Sequence, residues 1–163
     1  MSDQGVEWAS YIKDELRHEY AREEALTARG SVRLTSVTAI VTITFGAFTL
    51  LKASQIQVTG VALVAVIVGL VFLTLAAIAA SFTGVMLLKY DVTTGKTLSA
   101  MVKEKWKMSE TLARNYVAVF NVRTISTLRP ANEVKRKFLL ASAWFQTAAI
   151  ISFVVAAFVV VTR

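Results

Sequence analysis

The chain has 163 residues, 55% of them hydrophobic and only 18% charged, with a mean hydropathy of +0.57. A soluble domain of this length could not cover so much apolar surface with so few charges, so part of its solvent is lipid, where helices are the default spanning form. The absence of cysteine excludes disulfides and thiolate chemistry. One proline and no alternating segments of ~10 residues argue against a β-barrel.

From the N-terminus, Trp8, Ile12, Leu16 and Tyr20 recur every four residues among acidic and basic side chains. This predicts an amphipathic helix over 6–29. It is too charged to insert and is expected to lie on a membrane surface or against a partner helix. An acidic start without a basic segment and apolar core gives no reason to expect a cleaved signal peptide. Gly30 and Ser31 then allow a bend, and Arg33 marks the membrane interface.

Two apolar runs follow, Leu34–Leu51 and Ala53–Leu88, with Lys52 the single charge between them. Runs of ~18 or more uncharged apolar residues are long enough to cross a bilayer. They predict a transmembrane hairpin with spans at 34–52 and 60–88 and a turn at Lys52–Gly60. Thr35, Thr38, Thr42 and Thr49 fall on one face of the first span and are the candidate pore-lining residues. In the second span Ala76, Ala80 and Gly84 have the small-xxx-small spacing that lets helix backbones approach.

Asp91 to Gly95 carries turn chemistry. A basic helix is expected over 97–128, with an apolar stripe of Leu98, Met101, Met108, Leu112, Tyr116, Val119 and Phe120. Pro130 suits the first turn of another helix, which leads into a third span at 137–162. Ser142 and Gln146, four apart in it, are candidates for helix packing. Lys103, Lys105, Lys107, Lys135, Arg136 and Lys137 are candidates for contact with anionic lipid headgroups or a partner.

The reading is a single-domain, all-α integral membrane protein. It has three transmembrane helices, an N-terminal amphipathic helix and a long cytosolic helix between spans 2 and 3. Between Lys89 and Lys137 basic residues outnumber acidic ones, within a chain of net charge +7. The positive-inside rule therefore places that segment and the N-terminus in the cytoplasm and the C-terminus outside an inner membrane.

No metal-ligand cluster, phosphate loop or nucleophile–base pair is evident, so neither an enzyme nor a cofactor is expected. His18, the only histidine, reads as a solvated surface residue. The spans so drawn contain no ionisable side chain, which disfavours ion-coupled transport. The threonine face has two readings: interhelical glue, or a water-facing stripe lining a pore between copies. Three spans enclose no pathway by themselves, so a pore requires a homo-oligomer.

The layout of a charged helix ending near Arg29-Gly30, a transmembrane hairpin and a long basic helix resembles the small SLATT-type membrane effectors of bacterial conflict and defence systems. The resemblance covers about Trp8 to Leu128. It implies a pore formed when a partner senses infection or a nucleotide signal. The third span departs from that pattern, and no functional residue carries over. The expected function is a homo-oligomeric inner-membrane pore or ion channel that could serve as a membrane-permeabilising effector. The alternative is a non-conducting scaffold that recruits a soluble protein partner through its cytosolic helices. Nucleic acid ranks low, because the basic segment shows no groove-reading or base-stacking pattern.

Overall fold

A computed structural model describes residues 4–53, 58, 60–85, 95–103 and 108–162. Four helices carry them: α1 (Gln4–Ala53), α2 (Val61–Val85), α3 (Gly95–Lys103) and α4 (Glu110–Val161). Among the described residues there is no strand. Helices α1, α2 and α4 are each long and apolar enough to cross a membrane.

Two joints expected from the sequence are absent. Instead of a helix at 6–29, a bend at Gly30–Ser31 and a span at 34–52, α1 runs uninterrupted through all three. Nothing there forces a break. The Ser31 hydroxyl donates to the Ala28 carbonyl within the helix, and Gly30 serves a close approach instead of a hinge. Likewise Pro130 lies inside α4 and does not open a new helix. The basic helix at 97–128 and the span at 137–162 are therefore not separate elements. Residues 110–128 belong to α4, and α3 is only nine residues long. A proline in a helix interior forfeits one hydrogen bond and crowds the preceding turn. Here it sits on the exposed side, where the released carbonyl can find other partners, while Leu128 and Asn132 on either side stay buried.

The chain forms two compact units, Met1–Ala25 with Leu87–Val134, and Leu26–Met86 with Lys135–Arg163. In the first, the α1 and α4 segments run parallel: Glu15 and Glu19 meet Arg129, and Arg22 meets Glu133. In the second, α1 and α4 are again parallel, Arg33 and Ser36 meeting Gln146. Helix α2 is antiparallel to α4 there, pairing Phe82 with Phe138 and Phe72 with Phe145. Residues 26, 84 and 135 thus share one end of this unit.

The inward faces follow a seven-residue period. In α2 buried Ala62, Val66, Gly69, Leu73, Ala76, Ala80 and Thr83 are spaced alternately four and three, with Ala79 buried beside Ala80. In α1 the inward positions Ile12, Leu16, Glu19, Glu23, Leu26, Gly30, Arg33 and Val37 keep the same alternation. This is the spacing of knobs-into-holes packing. A strict four-residue stripe instead drifts about 40° per step. Trp8 and Tyr20, at the ends of such a stripe, are consequently exposed; Leu112, Tyr116 and Val119 of α4 are exposed as well, although their spacing is four and three.

The core of the second unit is small and tight: Val37, Leu73, Ala76 and Ala149, with Ile40, Val41, Phe145 and Phe153 around them. Most apolar side chains face outward instead. Only 28% of the most apolar stretch of α2 is buried, and 6% of that of α1. A water-soluble monomer rarely exposes contiguous apolar surface on this scale.

Candidate functional site: a polar seam in the apolar unit

The four threonines expected to line a pore all lie exposed on the outer face of α1. Thr35, Thr38 and Thr42 border a shallow groove with Leu34, Ala39 and Ile43. Each hydroxyl donates to the carbonyl four residues earlier: Thr35 to Ser31, Thr38 to Leu34, Thr42 to Thr38 and Thr49 to Phe45. Their protons are committed to the helix.

Of the small-residue set, Ala76 and Ala80 are buried where expected. Gly84 is exposed, and a Cβ built there meets nothing within 4 Å. The third inward position is Thr83. Seven residues from Ala76 keep nearly the same heading, whereas eight drift by about 80°. Thr83 takes the space left by Gly30: a side chain on Gly30 would collide with the Thr83 hydroxyl. Ser142 and Gln146 are both buried and both bond across helices. The Ser142 hydroxyl donates to the Ala76 carbonyl at 2.9 Å, and the Gln146 amide donates to the Ser36 hydroxyl at 2.7 Å.

The basic residues divide. Lys103, Arg136 and Lys137 are exposed. Lys135 is buried, being 6% exposed, because it occupies the inward seam of α4 between Leu128–Asn132 and Ser142. The sequence offered it for contact with a headgroup or partner, and its burial sets it apart from its exposed neighbours Arg136 and Lys137. Lys105 and Lys107 lie outside the described residues, as does Asp91.

The sequence reading drew the first span from residue 34 and so found no charge within the apolar helices. The packing brings one in. Arg33 turns inward, and its Nη1 donates to Gln146 Oε1 at 3.1 Å. Gln146 lies roughly 12 Å along α4 from Phe138, at ~1.5 Å per residue. The Gln146 amide is used at both ends, accepting from Arg33 and donating to Ser36. Arg33, Gln146 and Ser36 thus form a hydrogen-bonded chain among apolar side chains, and Ser142, one turn before Gln146, bonds separately to Ala76. The inward heptad phase of Arg33, in register with Leu26, Gly30 and Val37, was the signal that could have revealed it.

The other end of this unit opens into an apolar cleft of about 520 Å³, lined by Phe48, Leu51, Val66, Phe153 and Val160 among others. Among the described lining residues the one side-chain hydroxyl, on Thr44, donates to Ile40.

The first unit holds a charged cluster. Glu19, 6% exposed, accepts from Arg129 Nε at 2.8 Å and from Asn132 Nδ2 at 3.0 Å. Glu15 pairs with the same arginine. Asn132 also donates to the Glu19 carbonyl, while its own Oδ1 is buried without a partner. Arg129 and Arg22, the latter 3.8 Å from Glu19, already balance the charge of these two carboxylates. Among the described residues no group of three His, Asp or Glu side chains gathers to hold a metal ion, and His18 is exposed.

No family model, no curated protein and no solved structure matches this chain.

Proposed function

We propose that this protein inserts α1, α2 and α4 into the cytoplasmic membrane and assembles into a homo-oligomer whose copies conduct ions between them. The observation that carries this reading is the threonine groove of α1. The middle of a single chain is filled by the small core around Leu73 and Ala76, leaving no conduit. The hydroxyl-bearing stripe lies exposed on the outside instead, each proton bonded within its own helix. Copies arranged about an axis would turn that stripe to a shared interior. Exposed Trp8, Tyr11, Leu112 and Val119 on the first unit offer further surface for assembly. Arg29, Arg136 and Lys137 lie toward the end of the apolar unit that holds residues 26 and 135, which supports a cytoplasmic location for that end. A membrane-permeabilising effector role rests on the resemblance of layout alone.

A second reading, a non-conducting scaffold, draws on the same hydroxyls. A threonine bonded to its own backbone is tolerated by lipid. The exposed Lys103, Arg136 and Lys137 would then recruit anionic headgroups or a soluble partner.

Sizing the detergent-purified particle and reconstituting it into dye-loaded liposomes separates the two. A defined oligomer that leaks, with Thr42→Leu reducing the leak at unchanged particle size, supports the pore. A tight liposome around a stable particle supports the scaffold, and unchanged flux in Thr42→Leu removes α1 from the pathway.

A further inference from the structure

We propose that Arg33 is a binding site for the phosphodiester of a membrane phospholipid, drawn down the α1 flank of the apolar unit. This inference rests on the membrane reading above.

Three observations carry it. The first is a mismatch of lengths within one unit. Helix α2 has 25 residues without a charge, about 37 Å, and α4 has an uncharged run of similar length from Phe138 to Thr162. In α1 the run Leu34–Leu51 is only about 27 Å at ~1.5 Å per residue. The helix register places the deficit at the Leu26 end: Ser36 meets Gln146 directly, so Arg33, about one turn before it, still stands inside the level of Phe138 and reaches up to Gln146 with its side chain. At that depth α2 and α4 are still apolar while α1 is cationic. A charge so placed either carries a counter-charge or pulls the polar boundary toward itself.

The second is that, among the described residues, no acidic side chain pairs with it. Among the described residues, the one contact of the Arg33 side chain is the neutral carbonyl of Gln146. Four of its five N–H groups remain.

The third is that the side chain is held for use. Gln146 is 6% exposed, and Ser36 fixes its amide, so the carbonyl that grips Arg33 is itself anchored. A guanidinium oriented in this way matches paired phosphate oxygens with its planar fork. Arg29, one turn earlier and exposed, lies on the same flank to add a second contact. A phospholipid suits this place better than free phosphate. The adjoining Val32 and Leu34 are exposed, so acyl chains cover surface that would strip water from a small anion.

The test compares the full-length chain in detergent with Arg33→Gln. Phosphatidylglycerol, a glucosyl diacylglycerol with the same acyl chains, and inorganic phosphate are each titrated by native mass spectrometry and thermal shift. The wild type should retain phosphatidylglycerol in preference to the glycolipid. Arg33→Gln should bind phosphatidylglycerol about tenfold more weakly, the loss of a charge-assisted contact, with glycolipid binding unchanged. Inorganic phosphate at millimolar concentration should neither stabilise the protein nor displace the lipid.

Equal phosphatidylglycerol binding by the two proteins overturns the site, and so does equal retention of both lipids by the wild type. Displacement by inorganic phosphate makes the ligand a free anion. If Arg33→Gln does not fold, Arg33→Lys keeps the charge without the fork. It should keep the preference for phosphatidylglycerol at reduced affinity, and affinity equal to wild type counts against the arginine geometry. A chain that partitions into water and binds neither lipid would instead sink the membrane reading.

Discussion

Gly30 of α1 lies so close to Thr83 of α2 that a Cβ on the glycine would overlap the threonine hydroxyl and stand 2.9 Å from its Cβ. The Ala80 carbonyl is 3.4 Å from the same point. The contact is therefore made by backbone on one side and a buried β-branched side chain on the other. Thr83 cannot simply turn away, because its hydroxyl is bonded to Ala80 at 2.7 Å. Gly30→Ala should cost about 1–3 kcal/mol through overpacking, read as a lower melting temperature in detergent. Adding Thr83→Ala should recover part of the loss, since the two side chains share one space. Gly46→Ala is the matched control. Nothing lies within 4 Å of a Cβ there, so helix propensity alone acts and the change should be neutral or stabilising.

Gly69→Ala should be milder than Gly30→Ala. A Cβ at 69 meets only the ring of Phe153, at 2.7–3.0 Å. That ring also borders the open apolar cleft of about 520 Å³, so it has room to swing aside. A melting point reduced as much as in Gly30→Ala would mean that Phe153 is locked.

Much of this was legible in the sequence, for a simple reason. Long uncharged runs such as those of α2 and Phe138–Thr162 depend on composition alone, and three helices able to cross a membrane follow from it. The joints were harder. Gly30 and Pro130 are the residues that local rules read as a bend and a helix start. Their actual roles depend on what packs opposite: Thr83 fills the notch at Gly30, and Pro130 falls on the exposed side. Arg33 was misread because a boundary was set by charge, whereas its direction is set by the seven-residue seam it shares with Leu26 and Val37. Lys135 makes the same point. It was assigned by its basic neighbours Arg136 and Lys137, yet only it stands on the inward seam.

Glu19 and Glu133 both pair with arginine in the first unit, but they should not matter equally. Glu19 is nearly buried and takes bonds from Arg129 and Asn132. Glu133 and Arg22 meet at the surface, with side chains 39% and 43% exposed. Glu19→Gln should cost about 1–3 kcal/mol, since it weakens a charged, desolvated cluster whose Asn132 is already short of one partner. Glu133→Gln should cost about 0–1 kcal/mol and lose even that at high salt. Denaturant unfolding of the two variants at low and high ionic strength checks the order. An equal cost would mean that water reaches Glu19.

The antiparallel packing of α2 on α4 predicts a specific cross-link. Ser142 donates to the Ala76 carbonyl at 2.9 Å, which brings the two residues side by side across the helix interface. Trp144, two positions further on, is turned outward and 69% exposed. The chain has no native cysteine, so a double variant reports only the introduced pair. Ala76→Cys with Ser142→Cys should oxidise readily to an intramolecular disulfide, because neighbouring Cα atoms within about 7 Å allow the bond. Ala76→Cys with Trp144→Cys should stay reduced under the same mild oxidant. If the bond forms between chains and not within one, α2 and α4 are exchanged between copies. If neither pair oxidises, the register set by Ser142, Phe72–Phe145 and Phe82–Phe138 is wrong. The Arg33–Gln146 level would then have to be redrawn along with it.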